Sequence, residues 1–267
     1  MPAELFRRGL RDHRRALLAW CLGVAGYVAM IAAIFTSIES SPQLNDLIEN
    51  YPDVLKSLFG ISGRADITSG PGYLDLELFG IMLPLLVIVL AIGSGARTLA
   101  GEEDAGRLEL VLSYPVRRRD AVLAKGAAVA VEVLLLAATA TVTIAVFDPI
   151  VGLDLSAGHV LAAFAWLAAL GLFFGWLALA VGSAHPSRSL AIGVSAGVAA
   201  AAYLVNGLHT LAAWLDPARF LSPFWLVGQG PLQGGASAAG IVALLAAAVV
   251  VLLLGAALVE RRDLEVP

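Results

Sequence analysis

Apolar positions along this chain gather into long runs, not into the alternating or striped patterns of a water-soluble fold. A helix that crosses the hydrocarbon core of a bilayer needs about 20 apolar residues. Six runs reach that length: 17–35, 78–99, 121–147, 160–182, 189–213 and 238–259. They predict an all-α polytopic membrane protein, with 1–267 forming a single transmembrane domain on six transmembrane helices. The first run is too long for the core of a signal peptide, and no small-residue cleavage site follows it, so it reads as a retained helix. Gly171 with Gly175, and Gly193 with Gly197, form small-xxx-small pairs that suit close helix contacts in lipid. In alanine-rich helices such pairs also arise by chance. Pro84 predicts a kink in the second helix.

Four segments outside the runs carry their own patterns. In 1–16, Arg7, Arg8, Arg11, Arg14 and Arg15 fall on one helical face, and Leu5, Phe6, Leu10 and Leu17 on the other. This predicts an amphipathic interfacial helix in the headgroup layer. It serves either as a plain anchor or as a connecting helix that also touches a cytoplasmic partner. The loop 36–76 shows two short helical periodicities broken at Tyr51-Pro52, then a glycine-rich irregular stretch. The loop 100–120 places Glu102, Glu103 and Asp104 where a helix dipole favours negative charge. Leu108, Val111 and Leu112 follow as an apolar stripe, and Pro115 ends the helix. Such an element is either a docking helix or a solvated loop. The segment 214–237 is aromatic but broken by Pro217, Pro223 and Pro231. It predicts a re-entrant pair of short helices, with Trp214, Phe220, Phe224 and Trp225 in an interfacial aromatic belt.

Composition strengthens the membrane reading and adds an orientation. Hydrophobic residues make up 59% of the chain and charged residues only 14%, and mean hydropathy is +0.86. With the N-terminus placed in the cytoplasm, 14 of the 17 basic residues lie inside, and only Lys56, Arg64 and Arg219 lie outside. By the positive-inside rule both termini are cytoplasmic. The net charge of -4 argues against a nucleic-acid partner. The lone Cys21 excludes an intrachain disulfide. The excess of arginine over lysine suggests a GC-rich bacterial genome, hence a bacterial plasma membrane.

Catalytic signatures are few. The chain has no P-loop and no H-E-x-x-H motif, and His13, His159, His185 and His209 are scattered. This predicts no catalytic residues, no metal site and no cofactor in the chain. Gly193-Val194-Ser195-Ala196-Gly197 matches G-x-S-x-G, but a nucleophile elbow needs a strand-to-helix turn, and this match lies in an apolar run. Polar groups inside the runs are candidates for a translocation path. Glu132 lies in the third run and should face the protein interior, a cavity or a basic partner such as Arg97. Alternatively it snorkels to the headgroups. Asn206 is the second candidate, in the fifth run.

The loop before the third helix carries a recognisable order: Glu102-Glu103-Asp104, Gly106, Leu108-Glu109, Leu112-Ser113, Pro115, Arg117 to Arg119, then Leu123-Ala124-Lys125. This resembles ABC-2 type transporter permeases, although Arg107 stands where family members commonly have threonine. The six-helix layout, the basic N-terminal helix and the broken segment before the last helix extend the resemblance over essentially the whole chain. The resemblance implies the membrane-spanning subunit of an ABC exporter. In that reading the 100–120 loop forms a cytoplasmic coupling helix. Glu102, Glu103, Asp104, Leu108, Glu109 and Leu112 dock on a separate ABC ATPase subunit, which holds ATP and Mg. A second permease copy or a homologue completes the assembly, and the substrate is a lipophilic drug, lipid or peptide. The competing readings are an ATP-independent secondary transporter and a non-transporting membrane scaffold.

Overall fold

The computed structural model describes residues 2–39, 69–98, 117–209 and 212–261, with side chains in 13–37, 69–98, 117–209, 212 and 214–260. Six helices in these ranges are long and apolar enough to cross a membrane: His13–Ser37, Gly70–Thr98, Arg118–Val151, Ala157–Ala184, Arg188–Leu208 and Ala238–Glu260. They are called spans 1 to 6. The chain is thus an all-helical, six-span membrane protein.

Span 1 is part of one unbroken helix, Pro2–Glu39. The N-terminal segment expected as a separate element runs straight into the membrane helix. Span 2 begins at Gly70, well ahead of the apolar run that starts at Leu78. Gly70, Gly72, Asp75 and Glu77 dilute hydropathy there, yet Ser69 starts a helix by accepting from the Gly72 N–H at 3.2 Å. Gly70 is required by a close approach, because a Cβ would lie 2.3 Å from the Leu153 carbonyl oxygen. After Gly70–Leu74 the helix widens into a π turn, Asp75–Phe79, and the α-helix resumes over Met82–Thr98. Pro84 lies in the first turn of this last segment. Proline has no N–H to bond the Gly80 carbonyl, and the Tyr203 hydroxyl of span 5 donates to that carbonyl instead, at 3.3 Å.

Span 3 ends at Gly152, whose φ of +68° gives the left-handed turn of a helix stop, and its N–H bonds the Asp148 carbonyl at 3.0 Å. The Asp148 carboxylate then accepts from the Leu155 N–H at 3.1 Å, closing the short link to span 4.

Span 4 is the centre of the bundle. Spans 2, 3, 5 and 6 pack around it, whereas span 1 leans on span 3. Lipid tails are as apolar as leucine, so these helices associate by close packing. The tightest seam joins spans 2 and 4. A Cβ on Gly95 would lie 2.1 Å from the Gly175 carbonyl oxygen, and one on Gly171 would lie 2.6 Å from both Val87 and Val133. The Gly171–Gly175 pair is therefore a true contact. Gly193 and Gly197 have nothing within 4 Å, and Ser195 between them lies within helix Arg188–Leu208, so no nucleophile elbow exists there.

Because the spans alternate in direction, the bundle has two distinct ends. The proximal end holds His13, Ser94 to Thr98 and the start of span 3. The distal end holds residues 69–79, the link between spans 3 and 4, and a cap between spans 5 and 6. The cap consists of a 3-10 helix Ala213–Leu221, a short α-helix Pro223–Val227 and a 3-10 turn Pro231–Gln233, closed by a bridge between Gly228 and Ala236. It is pinned from below: Ser222 Oγ donates to the Ala202 carbonyl and Trp166 Nε1 to the Gly228 carbonyl, each at 2.8 Å. Phe224 does not join an exposed belt. It is buried, with its ring 5.4 Å from Tyr203 and 6.0 Å from Phe174. Trp225 is half-buried against Phe220, and the exposed large side chains are Trp214, Phe220 and Leu221.

Candidate functional site

Among the described residues, buried charged side chains gather in two clusters inside the bundle. The proximal one is centred on Glu132, which is 3% exposed on span 3. A carboxylate at that depth needs partners, since an unpaired buried charge is costly. Span 1 supplies His13, whose Nδ1 lies 3.2 Å from Glu132 Oε1. Span 2 supplies Ser94, whose hydroxyl donates to Glu132 Oε2. The same Ser94 oxygen accepts from an Arg97 Nη at 3.2 Å, so the expected basic partner reaches Glu132 through a serine. Glu132 therefore faces the protein interior and does not snorkel.

Lys125 lies lower on span 3 and is also buried. Its Nζ donates to the Thr98 carbonyl, the last residue of the span 2 helix. An ammonium there completes a carbonyl that the helix cannot satisfy and complements the negative end of its dipole. Trp176 of span 4 adds a further tie, its Nε1 donating to the Gly126 carbonyl at 2.9 Å. The cluster thus ties the ends of spans 1, 2 and 3 together close to Thr98, at the end of span 2.

The distal cluster is centred on Asp75, in the π turn of span 2. Its carboxylate accepts from the backbone N–H groups of Leu232 and Gln233, each at 3.0 Å, and from Gln233 Nε2 at 3.2 Å. The Leu232 N–H lies at the start of the cap's last 3-10 turn, and the Gln233 N–H is shared with the Gly230 carbonyl at 3.1 Å, so one carboxylate does for that turn what a capping residue does for a helix. Gly230 (φ +63°) and Gly234 (φ +84°) shape the turn around it, and a Cβ on Gly230 would meet Asp75 Oδ2 at 3.2 Å. His159 of span 4 closes the far side, with Nε2 3.0 Å from where a Gly234 Cβ would sit.

Of the residues singled out from the sequence, Glu132 and Arg97 come together. Asn206 is separate, half-buried toward the distal end of span 5, and its Oδ1 is buried without a partner among the described residues. Arg14 and Arg15 are exposed on the helix of span 1. Arg7, Arg8 and Arg11 lie on the same helix, but their side chains are outside the described residues. Glu102, Glu103, Asp104, Leu108, Glu109 and Leu112 also lie outside the described residues. Sequence reasoning missed His13, Ser94 and Asp75. His13 sits among five arginines and carries no signal of its own, and Asp75 reads as one more acid of an outer loop.

An all-helical bundle of six spans, with its buried charge held at the two ends, defines the chain as a polytopic membrane protein built around a packed centre. The chain belongs to the ABC-2 transporter family: the family model described as ABC-2 family transporter protein matches residues 4–264, nearly its full length. It is accordingly a permease of an ABC-type transporter. No curated protein matches the chain.

Proposed function

We propose that this permease is the membrane half of an ATP-driven exporter in a bacterial plasma membrane. It works with a separate cytoplasmic ABC ATPase and a second permease copy or homologue. The observation that carries this reading is the family match over residues 4–264. The charge pattern of the sequence puts the proximal end in the cytoplasm, which would set the 99–116 loop facing the ATPase. Glu102, Glu103 and Asp104 begin the docking helix, Leu108 and Leu112 give it an apolar face, and Glu109 lies between them. Arg7, Arg8 and Arg11, on the continuation of the span 1 helix, would lie beside it and present basic charge to the same partner. The distal cap would lie at the outer membrane interface as the re-entrant segment. The apolar spans fit a lipophilic drug, lipid or peptide, moved outward as the two permeases alternate. Asn206 faces that path, while Glu132 lies nearer its cytoplasmic mouth.

The test is a mild-detergent pull-down of tagged protein from its native membrane, with hydrolysis assayed and co-purifying subunits identified. An ABC ATPase should co-purify and hydrolyse ATP. Replacing Glu102→Lys and Glu103→Lys together should release it, because two reversed charges at a docked surface cost several kcal/mol. Purification without any ATPase would move the secondary transporter or scaffold to the front.

A further inference from the structure

We propose that Glu132 is the joint that makes the proximal ends of spans 1, 2 and 3 move as one body. This rests on the permease reading for its role in transport, but its geometry stands apart from that reading. Span 1 lies along span 3 and meets span 2 at few points. At the proximal end, the polar link between spans 1 and 2 among the described residues passes through one carboxylate. Glu132 Oε1 takes His13 of span 1 and Oε2 takes Ser94 of span 2. Each oxygen is committed to a different helix.

The placement makes this division consequential. The helix of span 1 continues outward from His13 to Pro2, and the span 2 helix reaches Thr98 on the same side. A displacement arriving on either arm is handed to span 3 within a turn or two of Glu132. Lys125 on the Thr98 carbonyl holds the second arm to the same helix. Ser94 accepts from Arg97 while donating to Glu132, so the guanidinium is linked to the carboxylate through one hydroxyl. Removing the carboxylate would take away this proximal tie between spans 1 and 2, leaving them joined at the distal end, where the Tyr73 hydroxyl donates to the Ile31 carbonyl at 3.2 Å, so that the proximal part of span 1 can swing relative to span 2.

The experiment places nitroxides on Leu18→Cys, an exposed position of span 1, and Gly93→Cys of span 2, where an added side chain meets nothing within 4 Å. The background is Cys21→Ala, and the protein is purified with its co-purifying ATPase in lipid nanodiscs. Distances are measured nucleotide-free and after trapping with ATP and vanadate. With labelled protein diluted into unlabelled protein, so that distances within one copy dominate, the parent should show one sharp maximum in each state. Glu132→Leu and His13→Leu should lose the single maximum and show a second population, and His13→Gln, which restores a donor, should regain the single maximum. A parent-like single maximum in both leucine variants would overturn the joint. His13→Leu, at a partly exposed position, keeps the test decisive if Glu132→Leu fails to fold. Absence of any ATPase from the parent sample would instead count against the permease reading, and the nucleotide-free distances would still decide the joint.

Discussion

Gly95 shows how much a single residue decides in a membrane interior. Its missing side chain lets the span 2 backbone come against the Gly175 carbonyl, where a Cβ would lie 2.1 Å from the oxygen. Backbone cannot swing aside as a flexible side chain can. Gly95→Ala should therefore lower stability by about 1–3 kcal/mol, the range for overpacking, read as a fall in the melting temperature of the detergent-purified protein. Gly193→Ala, facing open space, should change it by no more than about 0.5 kcal/mol. Tyr203→Phe removes the donor to the carbonyl that Pro84 leaves free and should cost about 1 kcal/mol in the same melting assay. The sequence carries both small-xxx-small pairs equally. Only the direction in which each glycine faces separates the contact at 171 and 175 from the bare pair at 193 and 197, and that direction depends on helix rotation, which composition does not encode.

At the scale of elements, the distal cap depends on Asp75. Asp75→Ala leaves the buried Leu232 N–H without its acceptor, at about 1–3 kcal/mol, while the Gln233 N–H keeps the Gly230 carbonyl. Hydrogen exchange over 228–237 should then accelerate, while exchange in the middle of span 4 stays slow. Asp75→Asn keeps one acceptor oxygen and should fall between the two. Uniform acceleration across the bundle would mean that the cap is not a separate unit. The spans themselves are legible from hydropathy because bilayer thickness imposes a minimum apolar length. The start of span 2 is not legible, since Ser69, Gly70 and Gly72 look like loop residues until a cap and a close approach to Leu153 explain them. The polar clusters are half legible. Glu132 stands out as a charge in an apolar run, but His13 and Ser94 lie far from it in sequence, and nothing local announces the pairing.

For the whole molecule, the positive-inside pattern makes a prediction about sides. In a Cys21→Ala background, Leu221→Cys on the distal cap should react with a membrane-impermeant maleimide on intact cells. Arg119→Cys, exposed at the start of span 3, should react only after permeabilisation. The reverse labelling would invert the protein and remove the docking argument for the 100–120 loop.

The glycine seam and the Glu132 cluster also differ in when they can be completed at the ribosome. His13, Ser94 and Arg97 all precede Glu132 in the chain, so the carboxylate enters a membrane that already holds its donors. The seam runs the other way. Val87, Ala91 and Gly95 are made early, yet the glycines that cover them, Gly171 and Gly175, arrive a whole span later. A nascent chain halted after span 3 therefore carries a satisfied charge and an uncovered small-residue groove. It is by that groove, not by its buried carboxylate, that a membrane quality-control protease would tell the unfinished protein from the finished one.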